Sequence, residues 1–73
     1  MTEIILTVSH LFKVPPDDLL SKKRKMPLPE ARHRVFGLCY QTGWKQTQIA
    51  KHFNISQSAI SRGITHFYQT GKI

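Results

Sequence analysis

The chain has 73 residues, 40% of them hydrophobic, enough for one domain around one core and too apolar for a disordered tail. Eleven Lys and Arg against four Asp and Glu leave a formal charge of +7, a balance that points to a polyanionic partner rather than to a solvated basic surface kept for solubility. One cysteine excludes an internal disulfide, no Cys/His cluster has the spacing of a zinc site, and no apolar run approaches the length of a membrane span.

Residues 3–13 place Ile4, Val8, Leu11 and Phe12 at helical spacing, with Ile5 widening the stripe. This predicts a short first helix with one buried face, ended by Val14-Pro15-Pro16. Pro16 to Leu20 reads as a single helical turn, with Asp17 as its cap and Leu19 or Leu20 pinning it to the core. Residues 21–27, Ser-Lys-Lys-Arg-Lys-Met-Pro, put four cations in a row before a breaker. Like charges at that density disfavour a helix, so a basic loop is expected.

Pro29 opens a second long helix, expected to run to about Thr42, with Glu30 suited to its positive end. Ala31, Val35, Leu38, Cys39 and Thr42 share one face, Phe36 and Tyr40 extend it, and His33, Arg34, Gly37 and Gln41 lie largely away. Gly43 ends the helix, and Trp44 is expected to plug the corner that follows. A third helix is expected over 47–53 with Ile49, Ala50 and Phe53 inward, capped by Lys45-Gln46-Thr47. Ser56 is a good N-cap for a fourth helix running to about Gln69, with Ala59, Ile60, Ile64, Phe67 and Tyr68 inward and Gly71 closing it. No alternating strand pattern and no internal repeat occurs. The expected fold is all-α, a compact four-helix domain with one extra helical turn, spanning 1–73 as a single unit.

Within it, residues 46–65 have the layout of a helix-turn-helix. Ala50 is small where two helices must approach. Asn54 tolerates the positive φ of the turn. Ile49, Phe53, Ile55 and Ile60 fill the wedge between the helices. The polar positions Ser56, Gln57, Ser58, Ser61 and Arg62 cluster at the N-terminal half of the last helix, the end that enters the major groove in such modules. Gln can bond adenine, Arg can bond guanine, and Ser can serve a base or a phosphate. The segment resembles phage-repressor and Cro-type helix-turn-helix segments, above all at Gln57-Ser58-Ala59-Ile60.

A wider resemblance covers nearly the whole chain. Val8-Ser9-His10-Leu11-Phe12-Lys13-Val14, then Asp17-Asp18-Leu19-Leu20-Ser21-Lys22-Lys23-Arg24, then Pro29-Glu30-Ala31-Arg32 and Gln48-Ile49-Ala50-Lys51-His52-Phe53 are similar to the DNA-binding C-terminal domain (domain IV) of the bacterial replication initiator DnaA. That domain has a Trp-repressor-like helical fold. The resemblance implies that Lys23, Arg24 and Lys25 hold phosphates or enter the minor groove, and Lys22 is grouped with them. Where that family carries Gly-Gly-Arg-Asp-His, this chain has Asn54-Ile55-Ser56-Gln57-Ser58, so the family's base preference is not carried over. No Gly-rich phosphate loop is present, and ATP-driven initiation by these residues alone is not expected.

Six of the eleven Lys and Arg and one of the four acids fall between Ser21 and Arg34, so that stretch holds five of the seven net positive charges. The expected partner is double-stranded DNA, read by the last helix and gripped by the basic loop, in transcription or replication control. A protein-interaction adaptor that keeps the fold without base readout is the alternative, and a homodimer is left open. With four acids in all, two of them in a capping turn, no catalytic residue, metal, cofactor or small-molecule substrate is expected. Cys39 is read as a small buried hydrophobe, and His10, His33, His52 and His66 form no ligand set. The opening Met-Thr-Glu-Ile-Ile-Leu has neither a basic n-region nor a cleavage site, so a cytoplasmic protein, nucleoid-associated in a bacterium or encoded by a phage, is expected.

Overall fold

Five helices follow one another in the computed structural model: α1 (Thr2–Phe12), α2 (Pro16–Leu20), α3 (Leu28–Gln41), α4 (Gln46–Phe53) and α5 (Gln57–Thr70). The structure describes residues 1–21 and 23–70, Thr70 by its backbone alone, and no strand occurs among them. Lys22 and Gly71, expected as a DNA contact and a helix stop, lie outside the described residues. The architecture is the all-helical one that the sequence predicts, with the Pro16 turn as α2.

Three helices end the same way. The Lys13 and Val14 amides donate to the His10 and Ser9 carbonyls, the Gly43 and Trp44 amides to Tyr40 and Cys39, and the Asn54 and Ile55 amides to Lys51 and Ala50. Each is a Schellman closure, which satisfies the last carbonyls of a helix by turning one residue into the left-handed region. Gly43 sits there at φ 108°, and Asn54 and Lys13 at 56° and 57°. Glycine and asparagine accept this conformation readily, whereas lysine does so against its preference. At the other ends, Ser56 caps α5 as expected, its Oγ accepting from the Ala59 amide at 3.2 Å. The Lys45 amide donates to Gln48 Oε1 at 3.0 Å, closing the start of α4. Asp17 does not cap α2, whose N-cap is Pro15 and which carries no side-chain cap.

The central element is α3, which packs most extensively on α5 and then on α1. Its core-facing residues Ala31, Val35 and Cys39 are fully buried, together with Val8, Leu19, Ile49 and Ile60. Each large apolar side chain so buried contributes about 1.5–3 kcal/mol. Leu11 is 61% exposed, contrary to expectation. The face of α1 that meets the core is centred on Ile5, Val8 and Ser9, and Leu11 lies roughly 120° around the helix from Ile5. Tyr68, Tyr40 and Leu20 are also exposed, and Trp44 at 37% exposure is no buried plug. Thr42 falls beyond the end of α3 and is exposed, its hydroxyl donating to the Cys39 carbonyl.

Gly37 is buried rather than turned outward, because α5 crosses α3 there. The crossing is reciprocal: the Phe67 ring of α5 covers Gly37, and the Phe36 ring of α3 covers Gly63. A Cβ on Gly63 would stand 2.6 Å from Phe36 Cδ2, and one on Gly37 would meet the Phe67 ring. Two glycines therefore let the supporting helix and the last helix approach closely. Phe36 also meets Phe53 edge-on, with ring centroids 5.0 Å apart, so α4 is tied into the same crossing.

Candidate nucleic-acid interface

The α4–α5 pair positions the first group of predicted contacts. Ile49, Phe53 and Ile60 are buried, with Ala50 at 7% exposure and Ile55 packed partly against them. With this wedge inside, Ser56, Gln57, Ser58, Ser61 and Arg62 all remain exposed. The start of α5 also carries amides with no partner inside the helix, which favour negative charge.

Order in the basic loop begins at its first residue. Ser21 Oγ donates to the Asp18 carbonyl at 2.7 Å and accepts from the Lys23 amide at 3.3 Å. Lys23 Nζ pairs with Asp18 Oδ1 at 3.2 Å, with the lysine side chain 63% exposed. Such a pair contributes at most about 1 kcal/mol and yields easily to a phosphate. Arg24 and Lys25 are exposed as well. Arg34, counted with the basic stretch, is half-buried and lies over the Phe12 ring at 5.9 Å, so part of its charge serves packing.

The loop and the start of α5 meet at one cleft of about 570 Å³. Its walls include Ser21, Arg24 and Arg32 from the loop side and Asn54, Ile55 and Ser56 from the helix-turn-helix, with Phe36 and His33 between. Arg24 and Ser56, predicted separately, thus line one surface. Neither Arg32 nor His33 is a site candidate in the sequence, where Arg32 belongs to the family-like helix start Pro29-Glu30-Ala31-Arg32 and His33 to the outward side of the helix. Their signal was positional: both sit in the first turns of the helix that follows the loop.

His33 packs against His66 of α5, ring centroids 4.5 Å apart, and its Nδ1 is buried without a hydrogen-bond partner among the described residues. Burial holds its pKa below the ordinary 6.5, helped by the nearby His66 and Arg32 charges and opposed by Glu30. The unfolded chain therefore takes up this proton first. The stabilisation is complete above about pH 6.5 and is lost as pH falls through 6.5 toward the lower folded value. Melting temperature should drop between about pH 7.5 and about pH 5, and His33→Gln should flatten that drop. An unchanged acid loss in the variant would contradict the assignment. Burial likewise raises the Cys39 thiol to about 11, which keeps it protonated and inert. No group of three or more His, Cys, Asp or Glu among the described residues could hold a metal ion. No helix among them is long and apolar enough to cross a membrane.

A short helix, a left-handed turn at Asn54 and a second helix with a polar N-terminal face define a helix-turn-helix module, here with a basic loop beside it. The family model for the bacterial DnaA protein helix-turn-helix matches residues 1–66. The chain belongs to that family, and membership implies binding to double-stranded DNA. No curated protein and no solved structure matches the chain significantly.

Proposed function

We propose that residues 1–73 act as a single sequence-specific DNA-binding unit in transcription or replication control. The N-terminal half of α5 enters the major groove, and Lys23, Arg24 and Lys25 hold the backbone or an adjacent minor groove. Lys22 is proposed with them from its place in the sequence. The observation that carries this reading is the shared cleft, with Arg24 on one wall and Ser56 on the other. Gln57, Ser58, Ser61 and Arg62 follow Ser56 on the exposed side and supply the base-reading groups. The role requires no catalytic residue, cofactor or small molecule.

A single module this small often needs a second copy or a protein partner for tight binding. Selection of bound duplexes from a random pool should enrich one short sequence. Arg62→Ala should retain affinity for bulk DNA yet lose about 1–3 kcal/mol of discrimination at one position. Binding with no enriched sequence would reduce the role to non-specific DNA binding. Capture of a stoichiometric protein partner with no DNA shift at low salt would replace it with an adaptor role.

A further inference from the structure

Arg32 looks at first like another phosphate ligand, since it belongs to the most basic stretch and lines the cleft. Its hydrogen bonds run elsewhere. Nε donates to the Leu19 carbonyl at 2.9 Å, and Nη2 donates to the Asp18 carbonyl at 2.9 Å and to Ser21 Oγ at 3.4 Å. The first two acceptors are carbonyls in the last turn of α2, whose acceptors have no partner within the helix; the Asp18 carbonyl also accepts from the Ser21 amide and hydroxyl. The third is the hydroxyl that accepts from the Lys23 amide. A planar guanidinium can take these three oxygens together, and a lysine ammonium cannot reproduce the fork.

We infer that Arg32 is a positioning residue, which clamps the end of α2 and Ser21 onto α3 and so presents Lys23, Arg24 and Lys25 beside the start of α5. The inference rests on the DNA-binding reading for its effect on affinity, but not for the clamp itself. Two nitrogens of Arg32 are turned to the protein, so its charge is committed inward. Three cations depend on the frame it holds. Loss of Arg32 therefore removes more than one phosphate contact.

The test combines Arg32→Gln with neutralisation of the loop (Lys23→Gln, Arg24→Gln, Lys25→Gln) in a cycle. Binding of the full chain to a 20-base-pair duplex is followed across salt concentrations. Arg32→Gln alone should reduce the salt slope by clearly more than the ~0.9 of a single phosphate. In the neutralised loop it should change affinity by less than about twofold, because the groups it acts through are gone. Arg32→Lys should fail to rescue. A slope change near ~0.9, additive losses, or rescue by lysine would each make Arg32 a direct phosphate ligand and overturn the inference. Ser21→Ala, which cuts the link to Lys23 without altering charge, should weaken binding in the same direction. It serves if Arg32→Gln does not fold. Without DNA, trypsin should cut after residues 23–25 several-fold faster in Arg32→Gln. Unchanged cleavage sinks the clamp, whereas a wild-type chain that binds no DNA sinks the functional reading and leaves the clamp to the cleavage result.

Discussion

Neutralising Lys23, Arg24 and Lys25 together will cost the protein most of its affinity for DNA at moderate salt and little of its stability. All three side chains are exposed, and the ion pair that Lys23 forms with Asp18 is a surface pair. Folding therefore loses about 1 kcal/mol at most. Binding loses far more, because each neutralised phosphate releases condensed counterions and adds about 0.9 to the salt slope. Three such contacts amount to a slope of roughly 2.7, or two to three orders of magnitude in affinity near 0.1 M salt. The measurement is affinity against salt concentration for the wild type and the triple glutamine variant. The wild-type slope should be steep and the variant slope shallower by about that amount. Parallel lines would remove the loop from the DNA interface, even with absolute affinity reduced.

The placement of this loop shows where sequence reasoning succeeds and where it stops. A run of cations before a proline favours a loop over a helix, and the helix-turn-helix is legible because few residues fit its constraints. Asn54 has to accept a positive φ, Ala50 has to be small, and Ser56 has to cap, and the structure meets each requirement. Periodicity alone does worse at the rim of a helix. It assigns Leu11 and Tyr68 inward although both are exposed, because an apolar stripe does not reveal how far around the helix its neighbour reaches. It also leaves Gly37 outside. A glycine gives no hydrophobic signal, and its burial depends on Phe67 from a helix thirty positions on.

The site divides along the same line. Exposed polar residues at a helix start can be recognised from spacing, since their positions are local. Arg32 cannot, because its partners Asp18, Leu19 and Ser21 belong to a different helix and loop. In sequence it counts as one charge among six; in the fold it is the residue on which the order of the others hangs. The His33 and His66 rings, tilted at 59° with centroids 4.5 Å apart, are likewise brought together by the α3–α5 crossing. Local chemistry is written in the chain directly, whereas pairings across elements depend on how the helices pack: α2 on α3 for Arg32, and the two glycines and two phenylalanines of the α3–α5 crossing for His33.

That packing makes α5 serve two purposes, and substitutions two residues apart will separate them. Ile60 is fully buried and Arg62 is exposed. Ile60→Ala removes apolar volume from a core that cannot collapse to fill it, at about 2–5 kcal/mol. A domain of this size rarely holds more than about 3–5 kcal/mol in total. Each kcal/mol shifts the melting point of a small domain by roughly 4–8 °C. The variant should therefore melt lower by about 8–40 °C or be largely unfolded at room temperature, losing helicity and DNA binding together. Arg62→Ala, on an exposed face, should melt within a few degrees of wild type, as surface substitutions change stability by about 0.5 kcal/mol or less, while its DNA preference relaxes. Circular dichroism melts beside binding to the selected and a scrambled duplex distinguish the two. Should Ile60→Ala melt like the wild type, the wedge between α4 and α5 is not what holds α5 in place, and the crossing with α3 alone would have to carry it.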